Sequence, residues 1–241
     1  MSILRQIMIL LLRTFFNFYF FFFGKPRISC SLKKVLSLYE TGGFGEFFSF
    51  IRVWDAPFDE IEKVVPKKGV ITDLGCGEGI LTNFLAISSS ERKLTGIEID
   101  KERIVQADKG ISNTSFVYGD VTKVKIPKSD AIIFSHLLHH LPSYKKQEEL
   151  LSKSLESLNS NGSLIVVEVD TKPLFKYVTS LLTDYFLVPW LFDKKIYERT
   201  YFRNRSEWTS LFQKYGLKVK TFRVDQGKPF SHVIYFLSKE E

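Results

Sequence analysis

Beyond residue 68, short apolar runs rich in β-branched residues alternate with segments of helical periodicity. The apolar runs predict strands over 69–75, 93–99, 114–119, 130–135 and 163–169. Helices are predicted from Ile80, over 101–110, and over 143–162, with Ser143 as N-cap and an Asn-Gly pair as the stop. Because strands and helices alternate, we expect parallel strands with right-handed crossovers in an open α/β sheet.

The alternation ends near residue 170. Residues 171–202 are rich in aromatic side chains and predict irregular helical structure, and residues 206–216 predict a capped amphipathic helix. Two further strands are predicted over 217–224 and 232–238, and the loop between them is too short for a crossover. The last two strands should therefore form an antiparallel hairpin on an otherwise parallel sheet.

Residues 7–23 are almost wholly apolar, with Arg13, Thr14 and Asn17 as the polar exceptions. On a helical wheel the polar residues of the first 22 positions fall within one half-circle, and the opposite half is apolar. The early arginine and the lack of a small-residue cleavage site disfavour a secretory signal, and the polar centre disfavours a spanning helix. The pattern favours an amphipathic helix lying in a membrane interface. A helix packed across the domain as a lid is the alternative, and the two are compatible.

Composition and charge divide the chain into two parts. Of the 241 residues, 44% are hydrophobic and 25% charged, which suits one globular domain. The formal net charge is +7, and residues 1–39 contain six basic residues and no acidic one. A basic, Phe-rich arm on a nearly neutral body favours an anionic lipid surface over a nucleic acid. We predict a helical arm, 1–39, that binds the inner face of a membrane peripherally through residues 2–34, and a cytoplasmic domain, 40–241.

The two cysteines, Cys30 and Cys76, follow no disulfide framework, and no His/Cys spacing typical of metal ligands occurs. We therefore predict no metal site and a reducing compartment.

The turn after the first predicted strand has the sequence DLGCGEG, residues 73–79. Glycine lets a ligand approach the backbone closely, and the following helix presents free N–H groups. A dinucleotide-binding loop would have its third glycine at Ile80, whereas here it is Gly79. The second predicted strand reaches Glu98 near its end, where a carboxylate can accept hydrogen bonds from both hydroxyls of a ribose. Asp120 follows the third strand, where it could accept one from the amine of adenine.

These features give the chain a resemblance to the class I S-adenosylmethionine-dependent methyltransferases. The stretch VITDLGCGEGILTNFLA resembles the first family motif, LTGIEIDKERIVQA the second and FVYGDV the third. DAIIFSHLLHHLP and LESLNSNGSLIVVEVD resemble the fourth and fifth, so the resemblance extends from about Phe48 to Ser238. It implies a Rossmann-like, doubly wound, seven-stranded α/β sheet, mostly parallel with an antiparallel last strand, and S-adenosylmethionine as cofactor.

The resemblance also implies a role for each residue of the site. The loop of Gly75, Cys76, Gly77 and Gly79 would border the methionine part of the cofactor, and Asp73 would support the loop or the amino group. Glu98 would hold the ribose. The residues expected around the adenine and the sulfonium are Ile99, Asp120, Val121, Ser135 and His136.

The methyl acceptor is less sharply defined. The chain lacks the Pro-Pro-aromatic turn of many amine methyltransferases and the Pro-Cys pair of cytosine C5 enzymes. Its LLHHLP run resembles small-molecule O- and C-methyltransferases. We predict a hydrophobic small-molecule or lipid acceptor methylated on oxygen, with a helical insert, 171–205, as one wall of its pocket. An RNA methyltransferase, favoured only by net charge, and a non-catalytic cofactor-binding scaffold are the alternatives, and the oligomeric state is left open.

Three residues are candidates for proton transfer. Methylation of a hydroxyl requires removal of its proton, and histidine has a suitable pKa. His136 and His139 are spaced i, i+3 and would share a face in the first turn after the fourth strand. We predict that His139 is the base, oriented or assisted by Glu168. In the alternative, His139 and His140 satisfy backbone groups beneath the loop and Glu168 anchors it.

Overall fold

The structure, a computed structural model, describes residues 3–24, 28–39, 52–53, 55–183, 185, 200–226, 228 and 230–239. Its strands are β1 Gly69–Leu74, β2 Arg92–Glu98, β3 Thr114–Tyr118, β4 Ser129–Ser135, β5 Leu158–Glu168, β6 Leu217–Arg223 and β7 Val233–Lys239. Its described helices are α1 Ile3–Phe23, α2 Cys30–Ser37, α3 Phe58–Val64, α4 Ile80–Ser88, α5 Lys101–Ala107, α6 Tyr144–Ser157, α7 Leu174–Leu182 and α8 Arg205–Lys214. A short 3₁₀ turn covers Leu138–His140.

The seven strands form one sheet in the order β3-β2-β1-β4-β5-β7-β6. Strands β1 to β5 pair in parallel, whereas β7 is antiparallel to both β5 and β6. This arrangement confirms the predicted fold class. The strand order reverses between β1 and β4, and ligands of open α/β sheets bind beyond the carboxyl ends of the strands at such a reversal.

Both faces of the sheet are covered by helices. Alternate residues of β4 enter different clusters: Ile133 packs with α2, α3 and α4, whereas Ile132 packs with α6 and α8. The central strands are therefore buried on both sides, which explains why they appear as continuous apolar runs in the sequence.

The boundary between α6 and β5 differs from the prediction. The helix begins after the predicted cap, where the Ser143 hydroxyl accepts from Lys146 N, but it ends at Ser157 rather than at the Asn-Gly pair. Strand β5 starts at Leu158, which pairs with Ser129 before a register shift. The Asn159 side chain donates to Asp130 Oδ1 at 2.6 Å, so tertiary contacts extend the strand through a polar segment.

Helix α8 also begins earlier than expected. Asn204, not Ser206, is its N-cap, and Asn204 and Glu207 form a reciprocal capping box.

The predicted N-terminal helix is present as α1 and carries two different apolar surfaces. Phe16 and Phe20 are buried and pack with Phe230, which follows β6. A second set of apolar side chains is exposed: Ile7, Leu10, Leu11, Phe15, Phe18, Phe21 and Phe22. None of the helices that the structure describes is long and apolar enough to cross a membrane.

The predicted insert, 171–205, is described only in part. Its helix α7 is amphipathic, and one set of its apolar side chains faces solvent: Leu174, Phe175, Val178 and Leu182. Residues 184 and 186–199 of the insert lie outside the described residues.

Candidate active site

A cavity of about 740 Å³ lies at the carboxyl ends of the parallel strands. The strand order separates its walls. On the β2 and β3 side, which we call the cofactor side, the lining residues include Glu98, Ile99 and Asp120. On the β5 and β7 side, which we call the acceptor side, they include Val169 and His232.

The glycine loop after β1 is compact because its glycines sit against other parts of the chain. Gly75 has φ +72°, and a Cβ there would lie 2.7 Å from Leu137 Cδ1. Gly79, with the same φ, precedes α4, and a Cβ there would lie 2.8 Å from both Ala107 Cβ and the Phe116 ring. A side chain at either position would combine backbone strain with a collision. Gly75 lines the cavity, whereas Cys76, Gly77 and Gly79 do not.

Glu98 is held at the cavity wall by backbone donors. Its Oε2 accepts from Gly77 N at 2.9 Å, and its Oε1 accepts from Ile99 N at 2.8 Å and Asp100 N at 2.9 Å. The residue is only 7% exposed. A carboxylate has about four acceptor positions, so these three bonds fix its orientation and leave one position on Oε2.

Asp120 lies beside two apolar residues on the cofactor side. Its Oδ1 accepts from both Thr122 N and Thr122 Oγ1, and Lys123 forms an ion pair with its Oδ2. Although burial opposes it, these contacts hold the pKa of Asp120 below its usual value. Ile99 is 61% exposed and Val121 is buried, and both line the cavity.

Asp73 and Cys76 are buried beneath the loop. Thr82 Oγ1 donates to Asp73 Oδ2 at 2.6 Å, which connects the end of β1 to α4. Burial raises the pKa of Asp73 to about 6 and that of the Cys76 thiol above its usual value. Neither residue lines the cavity. Of the two roles predicted for Asp73, its position fits support of the loop.

His139 and Glu168 are paired, as the sequence predicts. His139 Nδ1 lies 2.5 Å from Glu168 Oε2, and Glu168 Oε1 accepts from Leu138 N at 2.9 Å. Phe202 stacks on the His139 ring at 4.6 Å. His139 is 0% exposed, and neither member of the pair lines the cavity.

His136 has a different environment from His139. It lies before the 3₁₀ turn with φ +54°, so the shared helical face predicted for the two histidines is not formed. His136 Nε2 lies 2.9 Å from His232 Nδ1, and His232 Nε2 lies 2.8 Å from Asp55 Oδ1. All three residues line the cavity, as does Ser135. Burial, with smaller contributions from neighbouring positive charge, lowers the pKa of His136 well below its usual value.

Several cavity residues were not predicted from sequence. Arg52 Nη1 pairs with Glu78 Oε2 at 2.7 Å, and Arg103 Nε lies 3.5 Å from Glu78 Oε1, so two arginines bracket the glycine loop. Asp55 and His232 are 177 positions apart, and no local spacing signals their contact. Only the scarcity of histidine, four in the chain, marks His232 as a candidate.

Comparison with known proteins decides the family. Residues 49–221 match the family described as "Methyltransferase domain", which is more than half of the chain. The chain belongs to the class I S-adenosylmethionine-dependent methyltransferases. The seven-stranded sheet, with its antiparallel β7, is the sheet of this family.

The methyltransferase is similar to isoflavone-7-O-methyltransferase 6 of Medicago sativa, with 29% identity over 175 residues, covering 70% of this chain and 44% of the relative. Human N-acetylserotonin methyltransferase, solved with its cofactor, is 18% identical with a TM-score of 0.62, covering 87% of this chain and 57% of that one. The mitomycin 7-O-methyltransferase MmcR is 16% identical with a TM-score of 0.63, covering 81% and 56%. The chain spans 26% to 56% of the length of the curated relatives it matches.

The cofactor side of the methyltransferase fits the family's cofactor. It combines an oriented carboxylate that has a free acceptor position, an exposed apolar side chain, and a cavity-lining glycine, Gly75, in the loop after β1. These features suit hydroxyl groups, an aromatic base and a close backbone approach, respectively. The residues that would hold S-adenosylmethionine are Gly75, Glu98, Ile99, Asp120, Val121 and Ser135.

Proposed function

We propose that this methyltransferase transfers a methyl group from S-adenosylmethionine to a hydroxyl oxygen of a hydrophobic small molecule or lipid. One observation carries the proposal: a single cavity joins the cofactor side to an acceptor side that contains a histidine with a lowered pKa.

On the cofactor side, Glu98 would accept a hydrogen bond from a ribose hydroxyl, and Asp120 would accept one from the adenine amine. Ile99 and Val121 would contact the faces of the adenine. Ser135, at the end of β4, would lie near the sulfonium, and Asp73 would act indirectly by supporting the loop through Thr82.

When bound, S-adenosylmethionine supplies a methyl carbon whose bond to sulfur breaks with the electron pair remaining on sulfur. The acceptor oxygen gains the methyl carbon and must lose its proton to a base. Of the predicted catalytic residues, only His136 lines the cavity, so we assign it as the proton acceptor. The buried His139–Glu168 pair holds the loop after β4, since Glu168 accepts from Leu138 N as well as pairing with His139.

The acceptor side favours an apolar acceptor over RNA. Ala56, Val169 and Phe230 contribute apolar surface. The four basic side chains of lysine or arginine that line the described cavity each pair with a carboxylate: Arg52, Arg103, Lys123 and Lys146. An RNA-binding mouth would require cations available for phosphates. The open acceptor side likewise argues against a scaffold with a blocked pocket.

We also propose that α1 attaches the protein to an anionic membrane surface. Its exposed Phe and Leu side chains would each contribute about 1.5–3 kcal/mol on burial, and nearby basic residues up to about 1 kcal/mol each. The exposed apolar side chains of α7 would add to this attachment, since Ser231 N donates to Ser180 of α7 while the adjacent Phe230 contacts α1. The acceptor would then enter from the lipid.

The proposed reaction is tested with S-adenosylmethionine carrying a labelled methyl group. The full chain is incubated separately with a membrane lipid extract, a mixture of hydrophobic phenols, and total RNA. We expect label in an organic-soluble product of one of the first two, and none with Glu98→Ala at low cofactor concentration. Label in RNA alone would overturn the acceptor class. Cofactor binding without any labelled product would favour the scaffold.

Membrane attachment is tested by flotation with vesicles of phosphatidylcholine and phosphatidylglycerol. The full chain should float, high salt should weaken but not abolish flotation, and deletion of residues 1–27 should abolish it. Replacing Leu11, Phe18 and Phe22 by Ser should reduce flotation, whereas Thr14→Ser and Asn17→Ser should not. If the full chain floats no better than the truncated one, α1 is an intramolecular lid.

A further inference from the structure

Three side chains from distant parts of the sequence form a hydrogen-bonded row along the acceptor side. Asp55 precedes α3, His232 precedes β7, and His136 follows β4. The row has two links, 2.8 Å from Asp55 Oδ1 to His232 Nε2 and 2.9 Å from His232 Nδ1 to His136 Nε2. Each member also lines the cavity.

The carboxylate at one end determines where the protons lie. An ionised aspartate only accepts, so His232 Nε2 must carry a hydrogen. In the neutral form of His232 the ring has one N–H, so its Nδ1 is an acceptor and His136 Nε2 must donate to it. The remaining lone pair of a neutral His136 is then on Nδ1. Within the part of the chain that the structure describes, His136 Nδ1 makes no hydrogen bond.

The surroundings of His136 keep it neutral. Burial disfavours its charged form, and among the residues that the structure describes no carboxylate contacts it directly; Asp55 is one imidazole away. Among the described residues, the titratable and charged side chains whose fields reach His136 include His232, His139, Arg52 and His140. At the other end of the row, the Lys228 ammonium donates to the backbone oxygen of Asp55 at 2.7 Å.

We propose that Asp55 and His232 are positioning residues that hold His136 with hydrogen on Nε2, so that its Nδ1 accepts the proton of the methyl acceptor. As the oxygen–methyl bond forms and the sulfur–methyl bond breaks, the hydroxyl proton moves to His136 Nδ1. The imidazolium retains its bond to His232, and the Asp55 carboxylate at the far end offsets the new charge. This inference rests on the proposed function and adds two residues to it.

The first test reads the tautomers directly and needs no acceptor. Imidazole ¹⁵N–¹H correlation spectra of the full chain with S-adenosylhomocysteine report which nitrogen of each histidine carries hydrogen, and single substitutions assign the four histidines. We expect hydrogen on Nε2 of both His136 and His232. In Asp55→Asn, the amide can donate to His232 Nε2, so both rings should move their hydrogen to Nδ1. Asp59→Asn, a nearby carboxylate outside the row, should change neither. Hydrogen on His136 Nδ1 in the unaltered protein, or unchanged rings in Asp55→Asn, would overturn the inference.

The second test measures methyl transfer with whichever acceptor fraction the unaltered protein labels. His136→Gln should lower kcat about 100-fold or more, the usual contribution of a positioned base, with the cofactor dissociation constant unchanged. Asp55→Asn should lower kcat about tenfold or more with little change in KM, and Asp55→Glu should restore part of the loss. Asp59→Asn is the matched control. If Asp55→Asn inverts the tautomers but keeps the original kcat, the row does not serve the reaction. If the unaltered protein labels nothing, the proposed function fails, while the spectra still decide the tautomers.

Discussion

The loop after β4 carries two histidine–carboxylate groups in contrasting environments. His139 and Glu168 are both buried and face each other at 2.5 Å, outside the cavity lining. His136, through His232, reaches Asp55 at the cavity surface. Both groups combine histidine with a carboxylate, and the His139–Glu168 contact is the shorter one. The difference lies in access, since a proton acceptor must be reached by its substrate.

The two groups should also differ in what they contribute to stability. Removing one member of a buried pair leaves its partner desolvated and uncompensated, whereas a group at a cavity can be rehydrated. We therefore expect the His139–Glu168 pair to stabilise the fold and the row of His136, His232 and Asp55 to serve the methyl transfer. Three predictions test this division.

The largest expected effect is on folding. Glu168→Ala should lower the free energy of unfolding by about 3–5 kcal/mol, because His139 and Leu138 N both lose their acceptor. Asp55→Ala should cost about 1–2 kcal/mol, since water can replace the carboxylate. Urea denaturation of the two variants measures the difference. Equal losses would mean that Asp55 is as structural as Glu168.

The second prediction asks whether either group contributes to cofactor binding. Glu98→Ala should weaken S-adenosylmethionine binding about tenfold or more, because one charge-assisted hydrogen bond is worth about 1.5–3 kcal/mol. His136→Gln should leave the dissociation constant unchanged. Isothermal calorimetry measures both, with Glu102→Ala, an exposed carboxylate on α5, as the control. A tenfold loss in His136→Gln would assign that residue to cofactor binding instead.

The smallest effect concerns pH. The pKa values of His136 and His140 are lowered by burial, so the unfolded chain binds more protons than the folded one below about pH 6.5. Their contribution to stability is complete above that pH and is lost as pH falls through the folded values. Asp73 has the opposite sign, because its pKa is raised to about 6 and its contribution is lost as pH rises through that value.

Comparing His136→Gln with the unaltered protein separates the pH-dependent contribution of His136 from that of Asp73. Between pH 6.5 and 5, His136→Gln should lose stability less steeply than the unaltered protein, by at most about 1.4 kcal/mol per pH unit. Asp73 is present in both proteins, so its contribution to the slope cancels in the comparison. Thermal and urea unfolding across this range measure the slopes, and identical slopes would show that His136 takes up its proton at the same pH in the folded protein as in the unfolded chain.

The local features of this molecule are predictable from its sequence. The strands are apolar runs, the glycine loop follows β1 directly, and Glu98 is at the end of β2, so each signal lies within a few residues of its structural cause. The end of α6 was wrong because Leu158 and Asn159 respond to Ser129 and Asp130 across the sheet, a contact that local propensity does not contain.

The acceptor side was harder to predict, because it too depends on contacts between residues that are distant in the sequence. Whether His139 is reachable depends on Phe202 and on the packing of the loop, and the partners of His136 come from opposite ends of the domain. Spacing within HLLHHLP, residues 136–142, could identify the candidates but could not distinguish the buried His139 from His136 at the cavity.

Phe230 lines the cavity and also packs against Phe16 and Phe20 of α1. Thermodynamic linkage then imposes a symmetry. If a molecule in the cavity binds better when Phe16 and Phe20 are docked on Phe230, it must favour docking of the helix by the same factor, and the reverse holds if it binds better when they are apart. A lipid surface that competes for α1 would thus modulate acceptor affinity without touching the reacting atoms, and the occupied cavity would modulate lipid binding in equal measure.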